Sequence, residues 1–384
     1  MRKICVVTGT RAEYGLLSRL MRLVDESEDC QLQVVVTNMH LLPEYGNTYQ
    51  EIEKDGFRID ARVPMRKPTD DSYGVITSMV EEMDGMNEAF RDLCPDMVVI
   101  LGDRYEMLVV ATVTLLQRIP IAHIHGGEIS EGAVDDSIRH AITKMSSLHF
   151  TSTEEYRHRV IQLGEQPDRA FYVGAIGVEN LKRISLMSKE ELEASLDYTL
   201  DNNTVMCTYH PVTLGDRTPK AEIEDILAAL DEFPSLKVLF TMPNSDQGGD
   251  EIRKAIEAYC SLHSDRCQCY SSLGMRRYLS TLHYIAAVVG NSSSGILEVP
   301  SAHIPTLNIG DRQKGRTRGA SVVDVASDKS SIISGLKKVL STEFRKSCKT
   351  MTNPYEKEGT AEHIFKVIST YPLDKLSQKS FYNL

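Results

Sequence analysis

Residues 96–106 read DMVVILGDRYE. Five apolar residues, Met97 to Leu101, run on without alternation and stop at Gly102, and Asp103, Arg104 and Glu106 follow at once. A strand with one wet face alternates apolar and polar positions. An unbroken Val/Ile-rich run instead marks a strand covered on both faces, as in a parallel sheet between two layers of helices. The same signature recurs in KICVVTG, LQVVVT, IPIAHIHG, SLHFTST and AFYVGAIG, then in NTVMCTYHP, LKVLFTMPN, RCQCYSS, AAVVGNSS, IPTLNIGD and ASVVDV. Between these runs lie helix-period stretches such as RAEYGLLSRLMRLVDES, whose Leu16, Leu17, Leu20, Leu23 and Val24 share a stripe. About six strand–helix units in each half imply an α/β fold of two doubly wound, Rossmann-like domains facing across a cleft. We assign 1–177 to an N-terminal domain, 178–360 to a C-terminal domain, and 361–384 to a helix and tail packing back on the first. The polar stretch 177–203, with SKEELEASL inside it, reads as a helical connection.

Composition narrows the class. A length of 384 residues suits about two or three domains. The formal charge of -11 argues against a nucleic-acid partner, so an anionic ligand must meet a local basic cluster. The N-terminal apolar run is too short for a signal peptide, and no segment is long enough to span a bilayer. The eight cysteines lack C-x-x-C spacing and read as reduced thiols of a cytoplasmic protein.

In open parallel sheets ligands bind beyond the carboxyl ends of the strands, so the residues after each strand are the ones to weigh. VVGNSSSGILEVP runs from a strand through Gly290 into Ser292, Ser293 and Ser294 and then a helix-like stretch, a pattern suited to phosphate. It is neither a P-loop, because Ile296 stands where lysine is required, nor a G-x-S-x-G nucleophile elbow. NIGDRQKGRTRGAS is the densest basic cluster, with Arg312 nearest the strand end and Lys314 and Arg318 suited to a solvated loop. TYHPVT and TMPNSD set His210 and Asn244 after strands that the prolines stop.

The first-half loops are acidic. VTGTRAEYG supplies Arg11 but no G-x-G-x-x-G, so a nicotinamide dinucleotide is not supported. LGDRYE brings Asp103, Arg104 and Glu106, AHIHGGE brings His123, His125 and Glu128, and AVDDSIRHAITK opens a helix on Asp135 and Asp136, with Arg139 and His140 a turn on. One aspartate is explained as a cap and Asp136–His140 as an i,i+4 pair. Carboxylates and histidines gathered at neighbouring strand ends suit general acid–base work. A divalent metal on the H-x-H pair ranks second, because strand alternation would send both rings to one face and parallel-sheet burial makes one a packing residue.

Together TGTRAEYG, MHLLPEYGNTY, GDRYE, HIHGGE, DDSIRHAITK, HPVT, PNSD, GNSSSGILEVP and GDRQKGR, spread over residues 8–318, resemble the UDP-N-acetylglucosamine 2-epimerase family. The likeness is closest to its hydrolysing branch, which makes N-acetylmannosamine for sialic acid. The resemblance implies the two-domain glycosyltransferase B fold, a homodimer or homotetramer, a UDP-sugar substrate, and neither redox cofactor nor metal. It also implies elimination of UDP to a glycal followed by hydration. By motif position it makes Asp103 and Asp135 the acid–base residues, with Glu128 and His210 in support and Arg104 anchoring substrate. Arg11, Asn244, Ser292, Ser293, Glu298 and Arg312 would hold UDP, Glu298 through the ribose hydroxyls. Many members carry glutamate at the centre of H-I-E-G-G where this chain has His125, so that acid's role falls to His125 or to Glu128. Gly15 stands where some relatives have a serine near the diphosphate. Three other readings are a UDP-2,4-diacetamido-trideoxy sugar used for legionaminic acid as substrate, a metal-dependent hydrolase on Asp103, His123 and His125, and a nucleotide-sugar-binding regulator without catalysis.

Overall fold

The computed structural model describes the chain except for residues 67, 68, 70, 132, 213, 214, 216 and 244–247. The chain divides into two compact units. The first comprises Met1–Glu128, Asp135–Asn180 and Lys357–Leu384, and the second Ile129–Val134 and Leu181–Glu356.

The first unit holds β1 (Arg2–Thr8), β2 (Cys30–Thr37), β3 (Ala61–Val63), β4 (Met97–Leu101), β5 (Ile121–Ile124), β6 (Leu148–Thr151) and β7 (Ala170–Tyr172). All run parallel in the order β3-β2-β1-β4-β5-β6-β7. Both faces are buried, as the unbroken apolar runs require. Ile4 and Val6 of β1 pack into one core, and Cys5 and Val7 into another on the opposite face. The helix Arg11–Asp25 buries Leu17, Leu20, Met21 and Val24, and the helix Thr360–Thr370 adds Ile364 and Ile368 to the same core.

The second unit repeats the plan. Its strands are β8 (Thr204–Thr208), β9 (Lys237–Thr241), β10 (Cys267–Tyr270), β11 (Ala287–Gly290), β12 (Thr306–Ile309) and β13 (Val322–Val325). They pair in parallel in the order β10-β9-β8-β11-β12-β13. Val205 and Cys207 of β8 enter one core and Met206 the other. The connecting stretch forms the helices Ile176–Arg183 and Lys189–Leu196, the latter opened by a capping box of Ser188 and Glu191.

In each sheet the winding reverses between the first and fourth strands, β1 and β4 or β8 and β11. At such a switch point neighbouring loops diverge to opposite faces and leave a crevice at the carboxyl edge. The loops singled out from the sequence, after β1, β4, β8 and β11, flank these two points. All eight cysteines are free thiols, and among the described residues no helix is long and apolar enough to cross a membrane.

Candidate active site

Asp103 leaves β4 just past Gly102, whose φ of +81° turns the chain out of the strand. Two buried side chains fix this corner. His123, on β5, meets the Gly102 carbonyl through Nε2 at 2.7 Å, and its Nδ1 faces Thr143 Oγ1 at 3.3 Å. Burial pushes its pKa down to about 3, so the ring is neutral, with Nε2–H donating to the carbonyl. Arg139, 1% exposed, donates from Nη2 to Asp103 Oδ2 and from Nη1 to the Glu128 carbonyl at 2.9 Å and to Asp136 Oδ1 at 3.3 Å. A guanidinium this deep requires such partners, and in meeting them it draws together the loops after β4 and β5 and the start of the helix Asp135–Met145. Asp136 also pairs with His140 at 3.5 Å, as its spacing predicts. Asp135 begins the helix, half-buried.

His125 departs from the expected strand alternation. β5 ends at Ile124, and His125 has a φ of +67°, so its ring swings away from the direction the H-x-H pattern gives it. The two histidines therefore have separate surroundings. Nδ1 of His125 pairs with Glu128 Oε1 at 3.2 Å, the Ile176 N–H donates to Nε2 at 3.4 Å, and Ser152 Oγ donates to the same Glu128 oxygen at 2.7 Å. The Ile176 contact makes Nε2 the acceptor and Nδ1 the protonated nitrogen, so the buried ring and Ser152 both orient Glu128. Among the described residues no group of three or more His, Cys, Asp or Glu side chains stands where it could hold a metal ion.

Arg11 is the first residue of its helix and pairs with Glu51 at 2.6 Å. The backbone N–H groups of the β1 loop, where a Rossmann domain would hold a diphosphate, are otherwise engaged. Gly9 and Thr10 both donate to Glu13 Oε2, at 2.8 and 3.2 Å. Arg104 donates to Glu106 Oε1 at 2.6 Å. The Gly15 carbonyl accepts from Asn180 Nδ2 and Ser18 Oγ, each at 3.0 Å.

In the second unit Asn291 organises the edge. It is fully buried, its Oδ1 accepts from the His210 N–H at 2.7 Å, and its Nδ2 donates to the His210 carbonyl at 2.8 Å. Its own carbonyl accepts from Gln313 Nε2 at 2.9 Å and Arg312 Nη1 at 3.3 Å. One side chain thus ties together the loops after β8, β11 and β12. Gly290 makes this possible: its φ is +126°, and a Cβ there would stand 1.9 Å from the Thr208 carbonyl oxygen. Ser292, Ser293 and Ser294 are half-buried, with Ser292 and Ser294 hydroxyls 2.9 Å apart. The helix they open is one turn, Ser294–Leu297, and a separate 3-10 turn, Val299–Ala302, with Pro300 in it, follows. The helix-terminus field expected here is correspondingly small. Glu298 is buried, with Tyr278 near it and Ser294. Lys314 is exposed and pairs with Glu131 at 3.7 Å, whereas Arg318 is bound into the loop by Asp324 and the carbonyls of Gln313 and Arg316. Arg316 is buried and donates to Ser130 Oγ at 3.4 Å. Asn244 lies outside the described residues.

Sequence reasoning named Asp103, Glu128, His210 and Arg312, and Arg139 and His125 among their neighbours, but not which side chain holds which, and it gave Asn291 and Ser152 no part. Arg139 was legible as the basic residue one turn into an acidic helix start, and Asn291 as the amide between a strand-end glycine and three serines.

Two Rossmann-like sheets, one edged by carboxylates and histidines and the other by hydroxyls and arginine, are the arrangement of a nucleotide-sugar enzyme of the Rossmann-like class. The chain belongs to the UDP-N-acetylglucosamine 2-epimerase family, whose sequence pattern matches residues 22–369. It is 41% identical over 384 residues to the GDP/UDP-N,N'-diacetylbacillosamine 2-epimerase (hydrolyzing) of Campylobacter jejuni, covering 100% of this chain and 99% of that one. It is 39% identical to the polysialic acid biosynthesis protein P7 of Escherichia coli, covering 100% and 98%. The crystal structure of UDP-GlcNAc 2-epimerase from Neisseria meningitidis bound to UDP-GlcNAc superposes with a TM-score of 0.79 over 95% of this chain and 99% of that one. At 18% identity that likeness speaks for the fold alone.

Proposed function

We propose that the chain is a hydrolysing 2-epimerase that converts UDP-N-acetylglucosamine and water to N-acetylmannosamine and UDP, serving sialic acid synthesis. The observation that carries the reading is the ion pair of Asp103 with the buried Arg139. It fixes a carboxylate beyond the edge of β4 while the same helix begins with a second acid, Asp135. One of the two removes the proton at C2 as the C1–O bond to UDP breaks and its electron pair leaves on the diphosphate. The product is a glycal with a C1–C2 double bond. Water then adds its oxygen at C1, and the other acid delivers a proton to C2 on the opposite face, which inverts that centre. Glu128 and His210 support the sugar and the departing diphosphate. Arg11, Arg104, Asn244, Ser292, Ser293 and Arg312 are the anion ligands, and Glu298 meets the ribose hydroxyls.

A second substrate is favoured by the 41% identical Campylobacter relative and by a 35% identical Legionella pneumophila protein named UDP-N,N'-diacetylbacillosamine 2-epimerase (hydrolyzing). The chemistry is unchanged and the sugar is the 2,4-diacetamido-trideoxy one. Proton NMR in D₂O with EDTA separates the two. N-acetylmannosamine deuterated at C2 from UDP-N-acetylglucosamine supports the first. Turnover of only the diacetamido sugar nucleotide, UDP- or GDP-linked, supports the second. Loss of activity to the chelator, or UDP binding without turnover of either, refutes both.

A further inference from the structure

Three carboxyl side chains gather under the ends of β1, β2 and β4, and the reaction above uses none of them. Glu106 is fully buried and accepts from Arg104 Nε at 2.6 Å, in an ion pair whose arginine side chain is 11% exposed. Glu13 approaches from the helix after β1, holding the Gly9 and Thr10 N–H groups on Oε2. Glu82 comes from the helix Ser72–Leu93, is fully buried, and accepts from Thr37 Oγ1 at 3.1 Å. One oxygen of Glu82 and one of Glu106 make no hydrogen bond among the described residues. The loop after β1 presses on Glu106, since a Cβ on Gly9 would stand 3.0 Å from Glu106 Oε1.

This is a poor arrangement for stability. A buried carboxyl without full hydrogen bonding is unfavourable, and apolar residues of similar volume would commonly serve the fold as well. Burial, reinforced by Glu106, pushes Glu13 up to about 8. Burial together with Glu106 and Glu13 pushes Glu82 well above the carboxylate range. Burial thus favours the neutral form of both, around the ion pair of Arg104 with Glu106. Groups kept in so unfavourable a setting beside a switch point point to function.

We propose that Glu106 is a positioning residue that acts through Arg104, fixing the guanidinium that anchors the substrate while Glu13 holds the Gly9–Thr10 loop against it. The inference rests on reading Arg104 as that anchor. It gives the acid of GDRYE a task distinct from that of Asp103: Asp103 works on the sugar, Glu106 on the orientation of its neighbour.

The test is a double-mutant cycle on steady-state kinetics, following UDP release from UDP-N-acetylglucosamine or from the diacetamido sugar nucleotide, whichever is turned over faster. The variants are Arg104→Lys, Glu106→Gln and the pair, with thermal melts beside them. Arg104→Lys raises KM by about tenfold or more, because lysine cannot reproduce the paired donors of a guanidinium. Glu106→Gln does the same with a smaller change in kcat, and the double variant is no worse than Arg104→Lys alone. If the two losses multiply, or Glu106→Gln leaves KM unchanged while Arg104→Lys raises it, the positioning role is overturned. If Arg104→Lys itself leaves KM unchanged, the anchor reading fails instead. Should Glu106→Gln not fold, Gly9→Ala serves, because the three atoms nearest its Cβ, at 3.0 to 3.5 Å, all belong to the Glu106 side chain, which must give way. It raises KM in the parent and not in Arg104→Lys, and an equal effect in both backgrounds overturns the proposal.

Discussion

Replacing Asn291 by alanine tests how the second sheet presents its ligands. The side chain makes two short hydrogen bonds, 2.7 and 2.8 Å, to the backbone of His210, and all of its atoms are buried. Alanine removes both partners without admitting bulk water, so a donor and an acceptor lose their partners in a dry site. Each such loss costs about 1–3 kcal/mol, which puts the total at about 2–5 kcal/mol allowing for relaxation. For a unit of this size that lowers the melting temperature by roughly 5–15 °C. The functional effect is larger than the stability effect alone predicts, because the Asn291 carbonyl also receives Arg312 and Gln313. Once the loop relaxes, three strand ends lose their common reference. Urea unfolding followed by tyrosine fluorescence gives the stability change, and titration calorimetry with UDP gives the affinity. We expect Kd for UDP to rise at least about tenfold in protein that is still folded at the assay temperature. A stability change below about 0.5 kcal/mol, with unaltered UDP affinity, refutes the claim that Asn291 holds His210 and Arg312 in place.

Glu13, raised from 4.5 to about 8, keeps its proton in the native state across a range where the unfolded chain has lost it, so stability falls as pH rises through that window and levels off above it. The slope contributed is at most about 1.4 kcal/mol per pH unit, and Glu13→Gln, which retains the capping acceptor, should flatten it in urea midpoints taken from pH 5.5 to about 8.5; an unchanged slope argues against a buried neutral Glu13. Gly290→Ala should leave the second unit unable to fold, because the methyl group meets the Thr208 carbonyl at 1.9 Å, whereas Gly359→Ala, in open space at a φ of +69°, should cost only about 1 kcal/mol; equal melting temperatures would contradict this. His125→Ala should lower turnover by about tenfold or more, since Glu128 loses one of its supports, and near-normal turnover would remove the pair from the mechanism. Arg312→Ala should weaken UDP binding by about tenfold, while Asp103→Asn abolishes turnover and leaves Kd for UDP within about threefold; the reverse pattern would exchange the roles of the two loops.

How much of this was legible in the sequence follows from what each feature depends on. The long strands were readable because a strand buried on both faces has no choice but apolar residues, as β4 and β8 demonstrate. β3 was not: it is three residues, Ala61–Val63, at the sheet edge, with an arginine in the middle, so neither a run nor an alternation could announce it. The polar loops themselves were legible because the chain must turn polar where it leaves the sheet. Their partners were not, because Arg139 lies 36 positions from Asp103 and Asn291 lies 81 from His210, and such pairs arise only from strand order. The serine run misled in degree. Its helix is one turn long, so its hydroxyls and the neighbouring arginine matter more than a helix field.

The two sheets share one topology and differ in what stands at equivalent strand ends. After β1 the backbone donors that a diphosphate would need are occupied by Glu13, and after β4 the carboxyl groups of Asp103 and Glu106 crowd the edge. A second anion there would meet carboxylates unless arginine intervened, and this is the part the proposed mechanism gives to Arg104. After β8 and β11 the corresponding positions carry His210 and the serines, and Arg312 follows β12. Electrostatics therefore separates edges that topology leaves equivalent, and it is the ground on which the proposed mechanism gives proton transfer to the acidic edge and the leaving diphosphate to the hydroxyl and arginine edge. The proposed epimerisation at C2 calls for a base and a stabilised leaving group together, because the carbon acid beside an N-acetyl group is weak. Its proton can be taken only as the bond to a stabilised leaving group breaks.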